Sequence, residues 1–525
     1  MTDEERLRRQ VGQLMVFGFH GHIVPDTAAS LITEHHVGNL VLFSRNARDR
    51  QQMARLTARL QELARADGQP VPLAISVDQE NGSVSRLPDD VPDLPGSMAL
   101  GATGRPENAY QAGEMTGRLL RHLGINWDLA PVLDINNNPD NPVIGVRSFG
   151  DDPQAVAAFG TAFVRGLQSA GVIAAGKHFP GHGDTNVDSH HGLPVINHSR
   201  EHMGRVELVP YQAAIGAGID AIMTAHIVFT AVEPAGMPAT LSRRVLVDLL
   251  RGELGFDGVV TTDCLEMDAI AATVGVDRGA VLALKAGADL VMVSHRLDRQ
   301  LSAIEAVVRA VRAGELSERR VEEAAARVGR MKETRLLHRQ VRSWEATEAA
   351  GRALQTRLAR EAVTRLRWEA PMPRVPRRMV ILQEPAGGPD KQANLLAEAV
   401  RRVRPDVEVL VLSLSDALAG ENRSSVRQAL RGFDVVLAGV SGTDQAAYLD
   451  FVNSLPAAGV SVVAFLLRSP YDARLLTRLS RLLALYEATP AMAQAAVASL
   501  FGGPAEGRLP VTISPAWPRG FRANA

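Results

Sequence analysis

The feature that most restricts the fold is an alternation, through the first 300 residues, of short apolar runs rich in β-branched residues with amphipathic stretches of helical period. This alternation is typical of parallel β/α units. Eight such units favour a closed (β/α)8 TIM barrel over a doubly wound sheet, because barrels of this kind use ~250 residues and leave no sheet edge free. The predicted strands are Gln13–Phe17, Asn39–Phe43, Pro72–Val77, Ile125–Leu129, Ile173–Lys177, Ala221–Ala225, Gly258–Thr262 and Asp289–Val293.

A second domain is expected because the chain has 525 residues, and single cores stop growing near ~250–300 residues. An arginine-rich stretch, residues 340–367, is predicted to be helical and leads into prolines at 371, 373 and 376, which prevent further helix. We therefore predict a barrel domain at 1–340, a linker at 341–376 and a smaller open α/β domain at 377–525. Its predicted strands are Met379–Leu382, Val407–Leu412, Val435–Val440, Val460–Leu467 and Leu482–Tyr486, with helical stretches at Asn394–Val403 and Pro490–Phe501.

The charge balance argues against polyanionic partners. The chain has 57 basic and 58 acidic residues and a formal net charge of −1, so neither nucleic acid nor a membrane is an expected partner. Its one cysteine, Cys264, excludes an internal disulfide and a thiolate metal cluster. The N-terminal residues lack the order of a secretory signal, and no apolar run reaches the ~18 residues of a membrane helix, so we expect a cytoplasmic protein.

Polar residues follow the predicted strands at the end where barrel enzymes carry their active sites. The third strand is followed by Asp78 and Glu80, the fourth by Asp134 and Arg147, the sixth by His226 and the seventh by Asp263. The fifth strand ends in Lys177 and continues as His178 into a polar loop. This concentration of charge at one end of the barrel predicts the location of the active site.

The loop after the fifth strand contains two carboxylates and four histidines. A single histidine is most often structural, but Asp188 and His190 lie only two positions apart. In a turn, the carboxylate can hydrogen-bond one ring nitrogen, fix the tautomer and raise the pKa of the imidazole. The pair therefore has the composition of a proton-transfer unit.

Asp263 ends the apolar run of the seventh strand. Such an aspartate can simply cap the following helix. It can also act as a nucleophile that forms and breaks a covalent glycosyl intermediate, if a histidine acid/base faces it across a pocket. Position alone leaves both interpretations open.

Two longer motifs carry a resemblance to a known family. KHFPGHGDT at 177–185 with DSH at 188–190, and LGFDGVVTTD at 254–263, resemble the β-N-acetylglucosaminidase branch of glycoside hydrolase family 3. Shorter segments in family order support the match: VDQE at 77–80, APVLD at 130–134, IGVRSF at 144–149, MTAH at 223–226 and PATLS at 238–242. FGGP at 501–504 and GRLPVT at 507–512 resemble the end of the α/β sandwich domain of this family.

The resemblance implies a retaining glycosidase that needs neither cofactor nor metal and acts on a small carbohydrate. Asp263 would be the nucleophile, His190 the acid/base and Asp188 its partner. The hydroxyls of an N-acetylglucosamine residue would be bound by Asp78, Arg86, Arg147, Lys177, His178 and His226. For cytoplasmic members of the branch, the implied substrate is a cell-wall muropeptide fragment or a chitooligosaccharide.

The sequence departs from the family pattern at two places near the expected sugar pocket. Asn81-Gly82-Ser83 stand before Arg86 where Gly-Gly-Arg is usual, and Cys264 stands where aspartate or serine is common. Both departures bear on the preference for the leaving group.

Three alternatives to a hydrolytic retaining glycosidase are open. A neutral histidine base does not repel a phosphate dianion, so a β-N-acetylglucosaminide phosphorylase is one. A metal-dependent barrel of the amidohydrolase type, using His20, His22 and His226, is another, but Ser294-His295 occupy the place where such enzymes need an aspartate. The third is a barrel that binds carbohydrate without turnover.

Overall fold

The computed structural model describes residues 2–189, 192–336, 343–372, 376–383, 395–413, 422–442 and 446–524. The chain divides into two compact units. The first consists of Met1–Asp93, Ala109–Ser148 and Asp152–Gly351, and the second of Leu94–Asn108, Phe149–Asp151 and Arg352–Ala525. The boundary after Gly351 falls inside the predicted linker 341–376, whereas the two short segments of the second unit lie inside the predicted barrel domain 1–340. The predicted domain limits stay a prediction.

The first unit contains a closed barrel of parallel strands, which confirms the predicted TIM barrel. The strands follow one another around the barrel in chain order, and the last pairs with the first through Met15 and Val291. They are Met15–Phe17, Asn39–Leu42, Ala74–Val77, Trp127–Asp128, Ile173–Phe179, Ala221–Thr224, Val259–Cys264 and Leu290–Val293.

The barrel strands are buried on both faces, as is usual for parallel sheets covered by helices. Every residue of the fifth strand is buried, for example. Alternate residues of neighbouring strands, including Trp127, Ile173 and Met223, meet in one apolar cluster. This packing explains why the strands are recognisable in the sequence as continuous apolar runs.

Helices connect the barrel strands, and several begin at a side-chain cap. Asp49 accepts a hydrogen bond from Gln52 N and Asp152 from Ala155 N, so one free amide in the first turn of each helix has a partner. A short parallel pair, Val195–Ile196 with Val228–Phe229, lies outside the barrel. The helices are Asp3–Gln13, Asp26–Thr33, Arg50–Ala66, Pro106–His122, Pro153–Ser169, Arg200–Arg205, Leu208–Gly216, the π-helical Arg244–Glu253, Asp268–Ala271, Val276–Ala286, Leu297–Arg312 and Glu318–Leu336.

The second unit has a six-stranded sheet, which confirms a smaller α/β domain after the barrel. Its strands, in spatial order, are Thr364–Trp368, Arg481–Ala484, Val462–Leu466, Val435–Val440, Arg378–Gln383 and Glu408–Ser413, of which the first pairs antiparallel and the others parallel. The remaining described α-helices are Ser97–Ala102, Trp344–Ala362, Leu395–Val403, Asn422–Leu430, Ala446–Ser454 and Pro490–Leu500, of which Trp344–Ala362 begins in the first unit.

The predicted helix over 340–367 is wrong at its C-terminal end. The helix ends at Ala362, and Thr364–Trp368 form an edge strand. The burial pattern explains the change, because Thr364 and Leu366 are buried while the intervening Arg365 is only partly covered. From residue 364 to residue 366 burial alternates with a period of two and not 3.6. Among the described helices, none combines the length and hydrophobicity needed to cross a lipid bilayer.

Candidate active site

A cavity of about 380 Å³ opens at the carboxyl ends of the barrel strands. It brings together most of the residues that the sequence singles out, although they come from four different strands and the loops that follow them. Asp78, Arg86, Arg147, Lys177, His178 and Asp263 all line it, together with Glu80, His182, Ser189, Cys264 and Glu266. Apolar contacts are supplied by Phe43, Met223, Met267 and Met292 among others.

A buried ion-pair network forms one wall of the cavity. Lys177 Nζ lies 2.7 Å from Asp78 Oδ1 and 2.6 Å from Glu80 Oε1. Arg147 binds Glu80 through two parallel hydrogen bonds, each of 2.8 Å. This fork geometry fixes the guanidinium plane as well as its charge.

Each charge in the network is stabilised by its neighbours. Burial alone would raise the pKa of Glu80, but Arg147 and Lys177 outweigh it and hold that pKa well below its usual value. Burial likewise opposes the positive charge of Lys177, yet Asp78 and Glu80 keep its pKa above the ordinary one. At neutral pH the wall therefore presents fixed charges that can bind sugar hydroxyls.

Arg86 has a different environment. Its backbone N–H donates to Gln79 Oε1 at 2.8 Å, and Gln79 Nε2 is in turn held by Asn81 Oδ1 at 2.9 Å. Its Nε is buried and has no hydrogen-bond partner among the residues that the structure describes. Arg86 lines the cavity and has an unsatisfied N–H donor, so its guanidinium is suited to donate a hydrogen bond to an oxygen atom of a ligand.

The Asn81-Gly82-Ser83 departure forms a tight turn behind the cavity wall. Asn81 has a positive φ of 66° and Gly82 one of 59°, and Glu80 N donates to Val84 O across the turn. Asn81 is buried and does not line the cavity, whereas Cys264, the second departure, does. Only Cys264 can therefore contact a ligand directly.

Asp134 organises the two histidines at the start of the loop that follows the fifth strand, here named the acid/base loop after the predicted role of His190. The buried carboxylate of Asp134 accepts hydrogen bonds from His178 Nδ1 at 2.7 Å and from His182 N at 2.7 Å. Burial would raise the pKa of Asp134, but the charge and hydrogen bonds of His178 lower it below the usual value. The sequence places Asp134 after the fourth predicted strand. Its hydrogen bond to His178 could not be predicted, because the two residues are 44 positions apart in the chain.

His182 is held as a neutral ring. Burial, followed by the charge of His178, lowers its pKa to about 4. Its Nδ1 lies 2.8 Å from Thr185 Oγ1 and its Nε2 lies 3.1 Å from Ser189 Oγ. The ring thus braces both ends of the segment that precedes His190.

Asp263 is half-buried at the end of the seventh strand, and Cys264 N donates to its Oδ1 at 2.7 Å. Burial raises the pKa of a carboxyl group, but the nearby imidazoles of His226 and His178 and the Cys264 N–H outweigh burial here, so the pKa of Asp263 lies below its usual value. The carboxylate is ionised at neutral pH and faces the cavity.

His226 does not line the cavity. It is buried, and its Nδ1 and Nε2 lie 2.7 Å from Thr240 Oγ1 and 3.0 Å from Cys264 O. His20 and His22 are exposed at the end of the first strand. The structure therefore does not bring together the three histidines considered for an amidohydrolase-type metal site.

The predicted acid/base His190 lies outside the described residues, as does His191. Ser189, directly before it, lines the cavity. Asp188 is half-buried in the same loop, and its backbone carbonyl accepts from Gly192 N at 3.1 Å. The roles of His190 and Asp188 stay predictions.

Comparisons with known proteins give one consistent result. Residues 6–331 match the model of the glycosyl hydrolase family 3 N-terminal domain. The beta-hexosaminidase A of Pseudoalteromonas piscicida is 33% identical over 375 residues, 67% of this chain and 62% of that protein, so the chain spans less than two thirds of this relative. The beta-hexosaminidase of Stenotrophomonas maltophilia (strain K279a) is 39% identical over 300 residues, 56% of this chain and 87% of that protein.

A solved structure extends the similarity to both units. The glycoside hydrolase family 3 beta-N-acetylglucosaminidase from Paenibacillus sp. str. FPU-7 superposes with a TM-score of 0.89 at 40% identity, covering 97% of this chain and 99% of that chain.

Proposed function

Because the chain belongs to glycosyl hydrolase family 3, we propose that it is a retaining β-N-acetylglucosaminidase that releases terminal N-acetylglucosamine through a covalent intermediate on Asp263. The observation that carries the proposal is the arrangement of the cavity. An ionised Asp263 lines the same small space as the hydroxyl-binding wall of Asp78, Arg147 and Lys177. The named relatives, two beta-hexosaminidases and a beta-N-acetylglucosaminidase, support the choice of sugar.

The cavity suits a single sugar ring. Its volume of about 380 Å³ lies near the lower end of small-molecule sites, which run from ~300 to 1,000 Å³. Asp78 can accept from ring hydroxyls while Arg86, Arg147 and Lys177 donate to ring oxygens. Ion pairs fix Asp78, Arg147 and Lys177 before the ligand arrives, so little ordering cost for these side chains falls on binding.

The proposed reaction has two displacement steps. Asp263 attacks the anomeric carbon while protonated His190 donates a proton to the leaving glycosidic oxygen. An ester between the sugar and Asp263 results. Neutral His190 then takes a proton from water as the water oxygen attacks the anomeric carbon, and the Asp263 carboxylate leaves. Two inversions at one carbon give net retention.

Asp188 and His182 would support His190 from within the same loop. A carboxylate at Asp188 favours the protonated imidazole needed for the first step. His182 braces the preceding residues through Thr185 and Ser189. The loop would then present His190 in a defined orientation.

Water is the proposed acceptor, because the charge of the described lining does not favour a phosphate dianion. Four lining carboxylates, Asp78, Glu80, Asp263 and Glu266, stand against three cations, Arg86, Arg147 and Lys177. These seven side chains together leave a net charge of −1. A site built for phosphate as co-substrate would need the opposite excess.

The natural substrate we propose is a muropeptide fragment or a chitooligosaccharide with a terminal N-acetylglucosamine. Cys264, Phe43 and His295 line the cavity with Glu266, the rings of Phe43 and His295 lie 5.3 Å apart, and these three side chains would contact the leaving group. These side chains are less polar than the hydroxyl-binding wall. They are therefore compatible with leaving groups of different structure.

The test is turnover of 4-nitrophenyl N-acetyl-β-glucosaminide by the full chain and by two variants. Asp263→Asn should lower kcat by about 10⁴-fold or more, since it removes the covalent route. Glu266→Gln, which changes a second carboxylate of the same cavity, should retain much more activity. A fluorinated N-acetylglucosaminide that forms a slow intermediate should label the peptide containing Asp263.

Three results would contradict the proposal. They are an adduct on Glu266 or Asp268, a first-formed α-anomer by proton NMR, or equal loss of turnover in the two variants. Adding phosphate decides the acceptor, because formation of a sugar 1-phosphate in place of the free sugar would identify a phosphorylase.

A further inference from the structure

A cluster of two histidines and two carboxylates lies outside the cavity, close to the base of the acid/base loop. His198 and His202 flank the start of helix Arg200–Arg205, and Glu207 directly precedes helix Leu208–Gly216. The rings of His198 and His202 lie 4.2 Å apart, centroid to centroid. None of the three lines the cavity that contains Asp263.

His198 is placed between two carboxylates. Its Nε2 lies 2.9 Å from Asp184 Oδ2, and its Nδ1 lies 2.5 Å from Glu207 Oε1. A neutral ring has one N–H, so it can donate to only one of these two oxygens. If it donates to Asp184, the Nδ1 lone pair faces the Glu207 carboxylate, and either a second proton on the ring or a cation between the two atoms must offset that contact.

Two further polar atoms in the cluster make no hydrogen bond to a described residue, although His202 Nε2 lies 3.6 Å from Glu207 Oε1. Glu207 Oε2 and His202 Nε2 are both buried, and neither hydrogen-bonds to any residue in the part of the chain that the structure describes. The side chain of Glu207 is only 6% exposed. Leaving a buried carboxylate oxygen unsatisfied is costly, so the cluster has the composition of a site that a cation completes.

We propose that His198, His202 and Glu207 bind a divalent transition-metal ion, with Zn²⁺ the best match, and that Asp184 orients His198 from outside the coordination sphere. The donor atoms of the three residues lie within 4.8 Å of one another. Tetrahedral Zn²⁺ with ligands at ~2.0–2.1 Å needs donors about 3.4 Å apart, which small side-chain rotations supply.

The ligand types select the metal. Two imidazoles and one carboxylate, with water at the fourth position, form a usual zinc set, whereas Ca²⁺ and Mg²⁺ prefer oxygen ligands throughout. The Asp184–His198 hydrogen bond gives the carboxylate–histidine–metal arrangement that fixes the tautomer of a ligand imidazole. His198 would then coordinate through Nδ1 and His202 through Nε2.

The ion would hold the start of the acid/base loop in place. Glu207 packs against Gly181, where an added Cβ would lie 3.0 Å from Glu207 Cγ. Asp184, three residues later, is the partner of His198. Binding at this cluster therefore fixes segment 181–184, which leads to Asp188 and His190.

The decisive experiment is a titration of the chelator-treated full chain with ZnCl₂, followed by calorimetry and metal analysis. We expect about one Zn²⁺ per chain at this site. Glu207→Gln and His202→Gln should abolish that equivalent. Asp184→Asn should weaken it about 10- to 100-fold, as expected for a group that orients a ligand. Circular dichroism checks that each variant is folded.

A matched control separates this cluster from the other histidine-containing candidate. Cys264, Glu266 and His295 also place three donor atoms within 4.8 Å, so His295→Gln should leave the expected equivalent unchanged. Co²⁺ in place of Zn²⁺ gives a second readout. The cluster should give a four-coordinate spectrum without thiolate-to-cobalt absorption.

The proposal is overturned if the wild-type chain binds no Zn²⁺, or if His295→Gln removes the equivalent while His202→Gln retains it. Should Glu207→Gln fail to fold, His202→Gln decides the matter, because its Nε2 has no described hydrogen bond to lose. The test measures metal binding and not turnover, so its outcome is independent of the proposed glycosidase activity.

Discussion

Replacing Glu80 by Gln tests whether burial, and not distance, makes an ion pair important in this protein. Arg147 and Glu80 lie 2.8 Å apart with side chains 18% and 2% exposed. Arg319 and Glu323 also lie 2.8 Å apart, but with side chains 87% and 48% exposed. Glu323→Gln is therefore a control with the same chemical change, the same partner type and the same distance.

The two variants should lose different amounts of stability, because the buried cations of the Glu80 network cannot turn towards water whereas the exposed Arg319 can. Glu80→Gln leaves Arg147 and Lys177 in the wall with Asp78 as the remaining carboxylate of the network. Breaking a buried pair in this way costs about 3–5 kcal/mol, whereas an exposed pair contributes roughly 0–1 kcal/mol. At about 2 °C per kcal/mol for a unit of this size, the barrel transition should fall by roughly 6–10 °C in Glu80→Gln and hardly move in Glu323→Gln.

The pH dependence gives an independent check by scanning calorimetry. The pKa of folded Glu80 is lowered, so its contribution to stability is complete above the ordinary glutamate pKa of about 4.3 and is lost as the pH falls towards the folded value. The gap between wild type and Glu80→Gln should be constant from pH 7 to about 6 and narrow below about pH 4. Equal shifts for the two variants at pH 7, or a gap that widens in acid, would refute the reasoning.

Two other predictions concern single ionisable groups. Lys332 Nζ is buried and donates to Gly38 O at 2.7 Å, and burial lowers its pKa to about 7. Between about pH 7 and 10 the folded state therefore binds fewer protons than the unfolded state, so the stability of wild type rises with pH in this range. In denaturant titrations, the stability of Lys332→Met minus that of wild type should be about 3 kcal/mol larger at pH 6 than at pH 9, because wild type loses stability as the pH falls. A difference that does not change with pH would contradict the buried-lysine assignment. His190→Gly should slow unactivated disaccharides at least ~10²-fold while azide partly restores turnover of aryl glycosides. Disaccharide turnover within a few-fold of wild type would move the acid/base role to another group.

The barrel could be predicted from the sequence because parallel strands buried on both faces appear as apolar runs with polar residues at one end. The same rule located Asp78, Lys177 and Asp263, which the structure brings into one cavity. The edge strand Thr364–Trp368 was missed because it directly follows a long helix and its arginines resemble a continuing helical surface.

Contacts between distant residues could not be predicted in the same way. The sequence indicates neither that Glu80 bridges Arg147 and Lys177 nor that Asp134 holds His178. His198 and Glu207 have no motif of their own, and their proximity to Asp184 results from the path of the chain after the fifth strand. Contacts of this kind form only when distant parts of the chain fold together, and they leave no periodic pattern in the local sequence.

Because the barrel closes between its first and last strands, the ribosome synthesises the first strand well before one of its two partner strands. Met15 pairs with Val291, 276 residues later by subtraction of their numbers. At about 5–20 residues per second, the last strand is synthesised roughly 14–55 s after the first. During that interval one edge of Met15–Phe17 has no partner strand. This strand is only three residues long, so the nascent chain offers few unpaired backbone groups to a neighbouring polypeptide while it waits for its own last strand.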